Sequence, residues 1–156
     1  MDNPPALTVT DRAVLEFLAE HRIARANHVE RLLGVSAATA RGRLERLVSL
    51  EYVASGQIYH EQAKHYSITR SGLDVIGSAR RATRVDQMGY RHDVGMAWVW
   101  LAARDGAFGE LSEQISERQM RSADRRPSSA GAEGGERFGV RCIGLGRSGG
   151  ERLHYP

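Results

Sequence analysis

Arginine supplies 21 of the 22 basic residues in this 156-residue chain, Lys64 being the exception. Three of them fall in ATARGRLER at residues 38–46. A guanidinium fork matches the paired oxygens of a phosphate and the acceptor edge of guanine, so a helical face bearing several of them is suited to a nucleic acid. At about 100° per residue, the side opposite Leu44 holds Ala38, Thr39, Gly42, Arg46 and Ser49, with Arg43 at its edge and Arg41 nearer the core boundary. Small side chains would let such a helix sit deep in a groove. Arg43 and Arg46 would then reach base edges or phosphates, Thr39 could donate to either, and the amides following Ser36 would offer a phosphate site. Gly42 costs roughly 1 kcal/mol relative to alanine in a helix interior, and close approach of a partner to the backbone would account for it. The competing reading is an ordinary solvated face.

Other chemistries find less support. Cys142 is the single cysteine, so neither an internal disulfide nor a thiolate zinc cluster can form within the chain. No Ser-His-Asp or Cys-His nucleophile set is evident. Gly144, Gly146 and Gly149 match a dinucleotide-binding spacing, yet that fingerprint needs a helix to open there and an acidic residue about twenty positions later. With Pro156 so near, a hairpin turn is the better reading. His60 and His65 flank a turn but lack a third metal ligand nearby, His28 is expected on an exposed helical surface, and His92 is expected to make a structural hydrogen bond. No cofactor is expected.

The formal net charge is +3. Up to Arg91 there are 13 basic and 10 acidic residues, and beyond it 9 of each, so the excess lies in the first part. A charge this small argues for nucleic acid only if it is concentrated. No apolar run approaches the roughly eighteen residues of a membrane span, and the amino terminus has no exported-protein pattern. A cytoplasmic protein without membrane contact is therefore expected.

The elements that would position the arginines can be read from periodicity. Thr10 reads as the cap of a helix over 11–21, with Val14, Phe17, Leu18 and His21 on one face. A second helix spans 25–33 and is stopped by Gly34. Ser36 caps a third, reaching about residue 50, whose buried stripe is Ala37, Ala40, Leu44, Leu47 and Val48. Tyr52, Val53, Ile58 and Tyr59 then pair with 64–68 as two antiparallel strands around a polar tip, 60–63, where Lys64 and His65 would face phosphate or the minor groove. Thr69 caps a fourth helix to about residue 81. The segment 92–103 is apolar nearly all round and reads as a helix buried against the rest or a partner, with Asp93 as its cap. Leu111 and Ile115 suggest a strand or short helix. Residues 138–145 and 153–155 read as a terminal hairpin.

The unit from Arg25 to Ile68, and within it LLGVSAATARGRLERLVSLEYV, resembles the helix-turn-helix core of winged-helix DNA-binding proteins. That resemblance implies a mainly α fold with a small β-hairpin wing, in the α+β class. Glu51 departs from the pattern, standing where such proteins usually leave the third helix through glycine. A wider set comprises Leu7-Thr8, Asp11-Arg12, Val14-Leu15 and Leu18, Tyr66 through Leu73, His92-Asp93, and Ile115-Ser116-Glu117-Arg118 with Arg121. This set resembles the replication-relaxation family of actinobacterial plasmids and integrative elements. The resemblance implies a following domain similar to a restriction-endonuclease core, in which Glu117 would precede a Pro-Asp pair and a later Glu-x-Lys. The sequence ends at Pro156 without them, so no metal-dependent cleavage is expected of it, and a longer natural chain is the alternative.

The resulting expectation is a lead-in at 1–7, a winged-helix domain at 8–81, a linker and apolar helix at 82–121 that dimerises or opens a second domain, a flexible loop at 122–136, and a hairpin-like piece at 137–156. The expected function is binding of double-stranded DNA, without enzymatic activity, as a transcriptional or replication-control regulator acting as a homodimer. The expected contacts are Ser36, Ala38, Thr39, Arg41, Gly42, Arg43, Arg46, Lys64 and His65, with Trp98 and Trp100 as candidate dimer contacts. The alternatives are the front portion of a nuclease-related plasmid protein, or a winged-helix module that docks another protein.

Overall fold

The computed structural model describes residues 7–58, 62–110 and 113–124. The first helix, α1, spans Val9–His21. Its cap is Thr8 rather than Thr10: the Thr8 hydroxyl accepts from the Asp11 N–H at 3.1 Å, and Asp11 Oδ2 accepts from the Thr8 N–H at 3.1 Å. This reciprocal box satisfies two amides that a bare helix end leaves unpaired. A two-residue strand, β1 (Ala24–Arg25), leads into α2 (Ala26–Leu33). Gly34 ends α2 at φ 65°, its N–H returning to the Glu30 carbonyl at 2.9 Å, a left-handed stop that glycine adopts without Cβ strain. Ser36 then caps α3 (Ala37–Ser49) as expected, accepting from the Thr39 N–H at 3.2 Å.

Glu51 leaves α3 at φ 59°, a left-handed conformation that costs a non-glycine residue about 1 kcal/mol or more. Its carbonyl accepts from the Thr69 hydroxyl at 2.6 Å, and the Thr69 N–H donates to Tyr52 O at 3.0 Å. The strands β2 (Val53–Gly56) and β3 (His65–Ile68) pair antiparallel, Val53 opposite Ile68 and Gly56 opposite His65. β1 adds to the other edge of β3, giving the order β1-β3-β2. The sequence reading lacked β1, because two residues carry no alternation. It also placed Ile58 in a strand, whereas β2 stops at Gly56; Tyr59 and His60 lie outside the described residues.

Helix α4 covers Arg70–Val75, shorter than expected: Ile76 is its C-cap and Gly77, at φ 71°, turns the chain away. Thr69 caps it through the Gly72 N–H. The long helix α5, Tyr90–Arg104, has Gly89 at its N-cap. Asp93 is not that cap but a buried side chain within the first turn, held near Arg22. Helix α6, Glu117–Asp124, forms where a strand or short helix and then a loop from Ser122 were expected. Its start is another reciprocal box, Ser116 Oγ accepting from Gln119 N–H at 3.2 Å while Gln119 Oε1 accepts from Ser116 N–H at 2.9 Å. The anticipated terminal hairpin, the glycine run and Cys142 lie outside the described residues.

One core unites these elements. Val14, Leu15 and Leu18 of α1, Val29 of α2, Leu44 and Leu47 of α3, Ile68 of β3, Leu73 of α4 and Leu101 of α5 are all buried in it. Each such side chain contributes roughly 1.5–3 kcal/mol of transfer free energy, less the entropy of fixing it. Helix α5 packs on α1 and α2, with Ala97 and Leu101 inward, and α6 packs on α1. The expected apolar helix forms and is buried against the rest on one side, while Trp98 and Val99 on the other are 37% and 49% exposed.

Candidate nucleic-acid interface

Helix α3 buries Ala40, Leu44 and Leu47 and turns its opposite side to solvent. Ser36, Ala38, Thr39, Arg41, Gly42, Glu45 and Ser49 are exposed, and Arg43 and Arg46 are half-buried along one edge. Among the described residues nothing lies within 4 Å of where a Cβ on Gly42 would stand, so no contact with them requires glycine there. The Thr39 hydroxyl is paired with Ser36 Oγ at 3.0 Å, and Arg41 Nε donates to the Ala37 carbonyl at 3.2 Å, with its side chain in solvent. Arg41 is thus a face residue and not a boundary one. Glu45, unremarked in the sequence reading, shares that face.

The two remaining arginines do not project freely. Asp11, fully buried in the first turn of α1, accepts from Arg43 Nη1 at 3.2 Å through Oδ1 and from Arg46 Nη1 through Oδ2. Burial opposes ionisation of this carboxyl, but the Thr8 hydroxyl and amide and the Arg46 guanidinium outweigh it and hold Asp11 below the usual carboxylate range. The expectation that Arg43 and Arg46 stand unobstructed on the outer face is therefore corrected. Each gives one nitrogen to a carboxylate of α1, and removing either cannot leave the fold untouched. The side chains keep 28% and 40% of their exposure, so their outer edges still reach solvent.

On the wing side, Lys64 is exposed. His65 is not beside it on the surface. Its ring packs on Gly56, where a Cβ would come within 2.8 Å, and meets the Tyr90 ring edge-on at 5.6 Å. Burial, and then the nearby Arg25, lower its pKa, so at neutral pH it is an uncharged core imidazole. The strand period explains this: His65 and Ser67 share one face of β3 and Tyr66 the other, yet α5 covers the His65 side. Arg25 links the wing to α5, donating to Gln62 Oε1 at 3.0 Å and to the Tyr90 hydroxyl at 3.1 Å. His28 likewise is buried rather than exposed, accepting from the Arg25 N–H at 2.8 Å and lying against Trp98. His92 does make a structural hydrogen bond, to Glu117 at 2.8 Å.

A three-helix platform, a capped third helix across a glycine turn, and a ribbon completing a three-stranded sheet define a winged helix-turn-helix protein. The chain belongs to the replication-relaxation family, whose model matches residues 15–122. No curated protein sequence matches it. Among solved structures, it is similar to the transcriptional regulator Tm0710 from Thermotoga maritima, at 19% identity over 75% of this chain and 69% of that one, TM-score 0.40. A Lactococcus lactis ZitR variant in complex with DNA matches at 17% identity over 80% and 75%, TM-score 0.42. A MarR variant from E. coli matches at 14% identity over 78% and 75%, TM-score 0.43. Among the described residues no three His, Cys, Asp or Glu side chains converge as a metal site. Glu117 is instead engaged by His92 and Arg121, with its pKa lowered: burial opposes ionisation, and the bond from His92 leads the opposing effects.

Proposed function

We propose that this chain binds double-stranded DNA with α3 in the major groove and Lys64 near the adjoining backbone, acting as a transcriptional or replication-control regulator on a mobile or actinobacterial replicon. The observation that carries this reading is the low relief of the exposed α3 face: Ala38, Thr39 and Gly42 stand clear, bordered by Arg41 on one side and by Arg43 and Arg46 on the other. Small residues permit close approach of the helix, and the bordering guanidiniums meet phosphates or guanine edges. Ser36, capping α3, presents the helix's first amides to a phosphate. Glu45 on the same face repels phosphate, which favours a sequence-dependent fit over indiscriminate backbone binding. His65 supports the wing from within.

A homodimer is part of this reading. Trp98 and Val99 expose apolar surface on α5, where a second copy would cover them. Trp100 is partly buried against the core, edge-on to Phe17 at 5.6 Å and to His21 at 5.2 Å, and offers less surface than Trp98. The test is selection from a random duplex pool followed by titration at two salt concentrations. The reading expects a defined, two-fold-related consensus with affinity falling as salt rises. A pool that yields no consensus, with no duplex affinity at low salt, would overturn it.

A further inference from the structure

A cleft of about 440 Å³ opens where the C-terminal end of α1, residues 80–84, the first turns of α5 and α6 meet. That volume lies within the roughly 300–1,000 Å³ of small-molecule sites. Its walls hold six guanidinium groups and three carboxylates. Each carboxylate is already matched: Glu20 by Arg80, Asp93 by Arg22 at 3.9 Å, and Glu117 by Arg121. Three arginines are left over. Arg118 donates to two uncharged acceptors, the Ala19 carbonyl at 2.6 Å and the Arg81 carbonyl, and burial together with Arg80 and Arg22 lowers its pKa. Arg81 and Arg84 stand exposed on the rim with no ion pair among the described residues.

The three unmatched guanidiniums, two on the rim and Arg118 partly buried, leave the cleft with an excess of positive charge that an anion would complete. Guanidinium forks are matched in geometry to phosphate oxygens. The backbone also commits itself here. Arg22 sits at φ 63° and ψ −52°, and the Ile23 N–H closes a three-residue turn on the His21 carbonyl at 2.6 Å, a rare and strained γ-turn that aims Arg22 at Asp93. The cleft lies at the far end of α1 from Asp11, roughly 14 Å along the helix axis at the usual rise per residue. It is therefore separate from the α3 face.

We propose that this cleft binds the phosphate or diphosphate group of an anionic ligand, with Arg81, Arg84 and Arg118 as the donors. The group belongs either to a free small molecule or to a nucleic-acid backbone. The test is calorimetric titration of the whole chain at low salt with inorganic pyrophosphate. The expected result is saturable one-to-one binding that falls at least about tenfold in Arg81→Ala/Arg84→Ala, as loss of two charge-assisted contacts implies. The melting temperature of the ligand-free double variant should match the parent, since neither side chain holds a partner among the described residues, and Arg41→Ala, on the solvent side of α3, should leave pyrophosphate affinity unchanged. Absence of saturable binding, equal binding of citrate, or an unaltered affinity in the double variant overturns the proposal. Duplex DNA distinguishes the sources: loss of duplex affinity in the double variant, with pyrophosphate competing, places a backbone phosphate in the cleft, and an unchanged duplex affinity places a free ligand there.

Discussion

Asp11 joins the fold to the α3 edge, and replacing it tests that link. Asp11→Asn keeps the shape and one acceptor but removes the charge facing Arg43 and Arg46. Breaking a fully buried pair costs roughly 3–5 kcal/mol. Here only the carboxylate is fully buried, and the two arginines are 28% and 40% exposed, so they are rehydrated on release. The expected loss is therefore about 2 kcal/mol, between the buried and surface limits. Guanidinium unfolding at pH 7, followed by circular dichroism, reads it as a shift of midpoint at constant slope. The same change made on Arg43→Met/Arg46→Met should have the opposite sign. With its partners gone the carboxylate is buried uncompensated, so neutralising it becomes neutral or stabilising by up to about 1 kcal/mol. An Asp11→Asn penalty of equal size in both backgrounds would refute the clamp. On duplex DNA the freed guanidiniums should steepen the dependence of log affinity on log salt by about 0.9 for each phosphate gained.

Acid stability follows from two core histidines. Burial leads the lowering of both His21 and His28 to about 4, from an ordinary imidazole value of 6.5. The unfolded chain takes up these protons first, so stability is full above about pH 7 and is lost as pH falls through 6.5 toward 4; at pH 5 the loss is roughly 2 kcal/mol for each. Asp93, whose carboxyl burial raises, works in the opposite sense. A flat unfolding midpoint between pH 7.5 and 5 would contradict the burial argument. Gly42→Ala should stabilise the free protein by about 1 kcal/mol while weakening duplex binding, because the space is open in the free protein and needed by the partner. Thermal melts and a binding titration separate the two effects. Gly72→Ala should destabilise by about 1–3 kcal/mol or more, since its Cβ would fall 2.2 Å from the Tyr52 carbonyl oxygen and the first turn of α4 would have to shift away from it. Glu51→Gly should raise stability by about 1 kcal/mol, by relieving the left-handed backbone at the end of α3.

Local chemistry made much of this molecule legible in advance. Gly34, Ser36 and the Ala40-Leu44-Leu47 stripe specify a turn, a cap and a buried face within fourteen consecutive residues, and each acts through neighbours three or four positions away. Thr8-x-x-Asp11 and Ser116-x-x-Gln119 carried capping-box spacing too, a signal that could have placed the starts of α1 and α6. Tertiary structure decided the rest. Asp11 meets Arg43 and Arg46 across 32 and 35 residues of chain, and no periodicity encodes which cation a buried carboxylate will find. His65 and His28 became core residues only because α5 returned over the sheet and α2, placing Tyr90 and Trp98 against their rings. A sequence fixes the period and polarity of each element. Which polar groups are withdrawn from water depends on what packs above them, and that is settled when distant elements compete for the same buried surface.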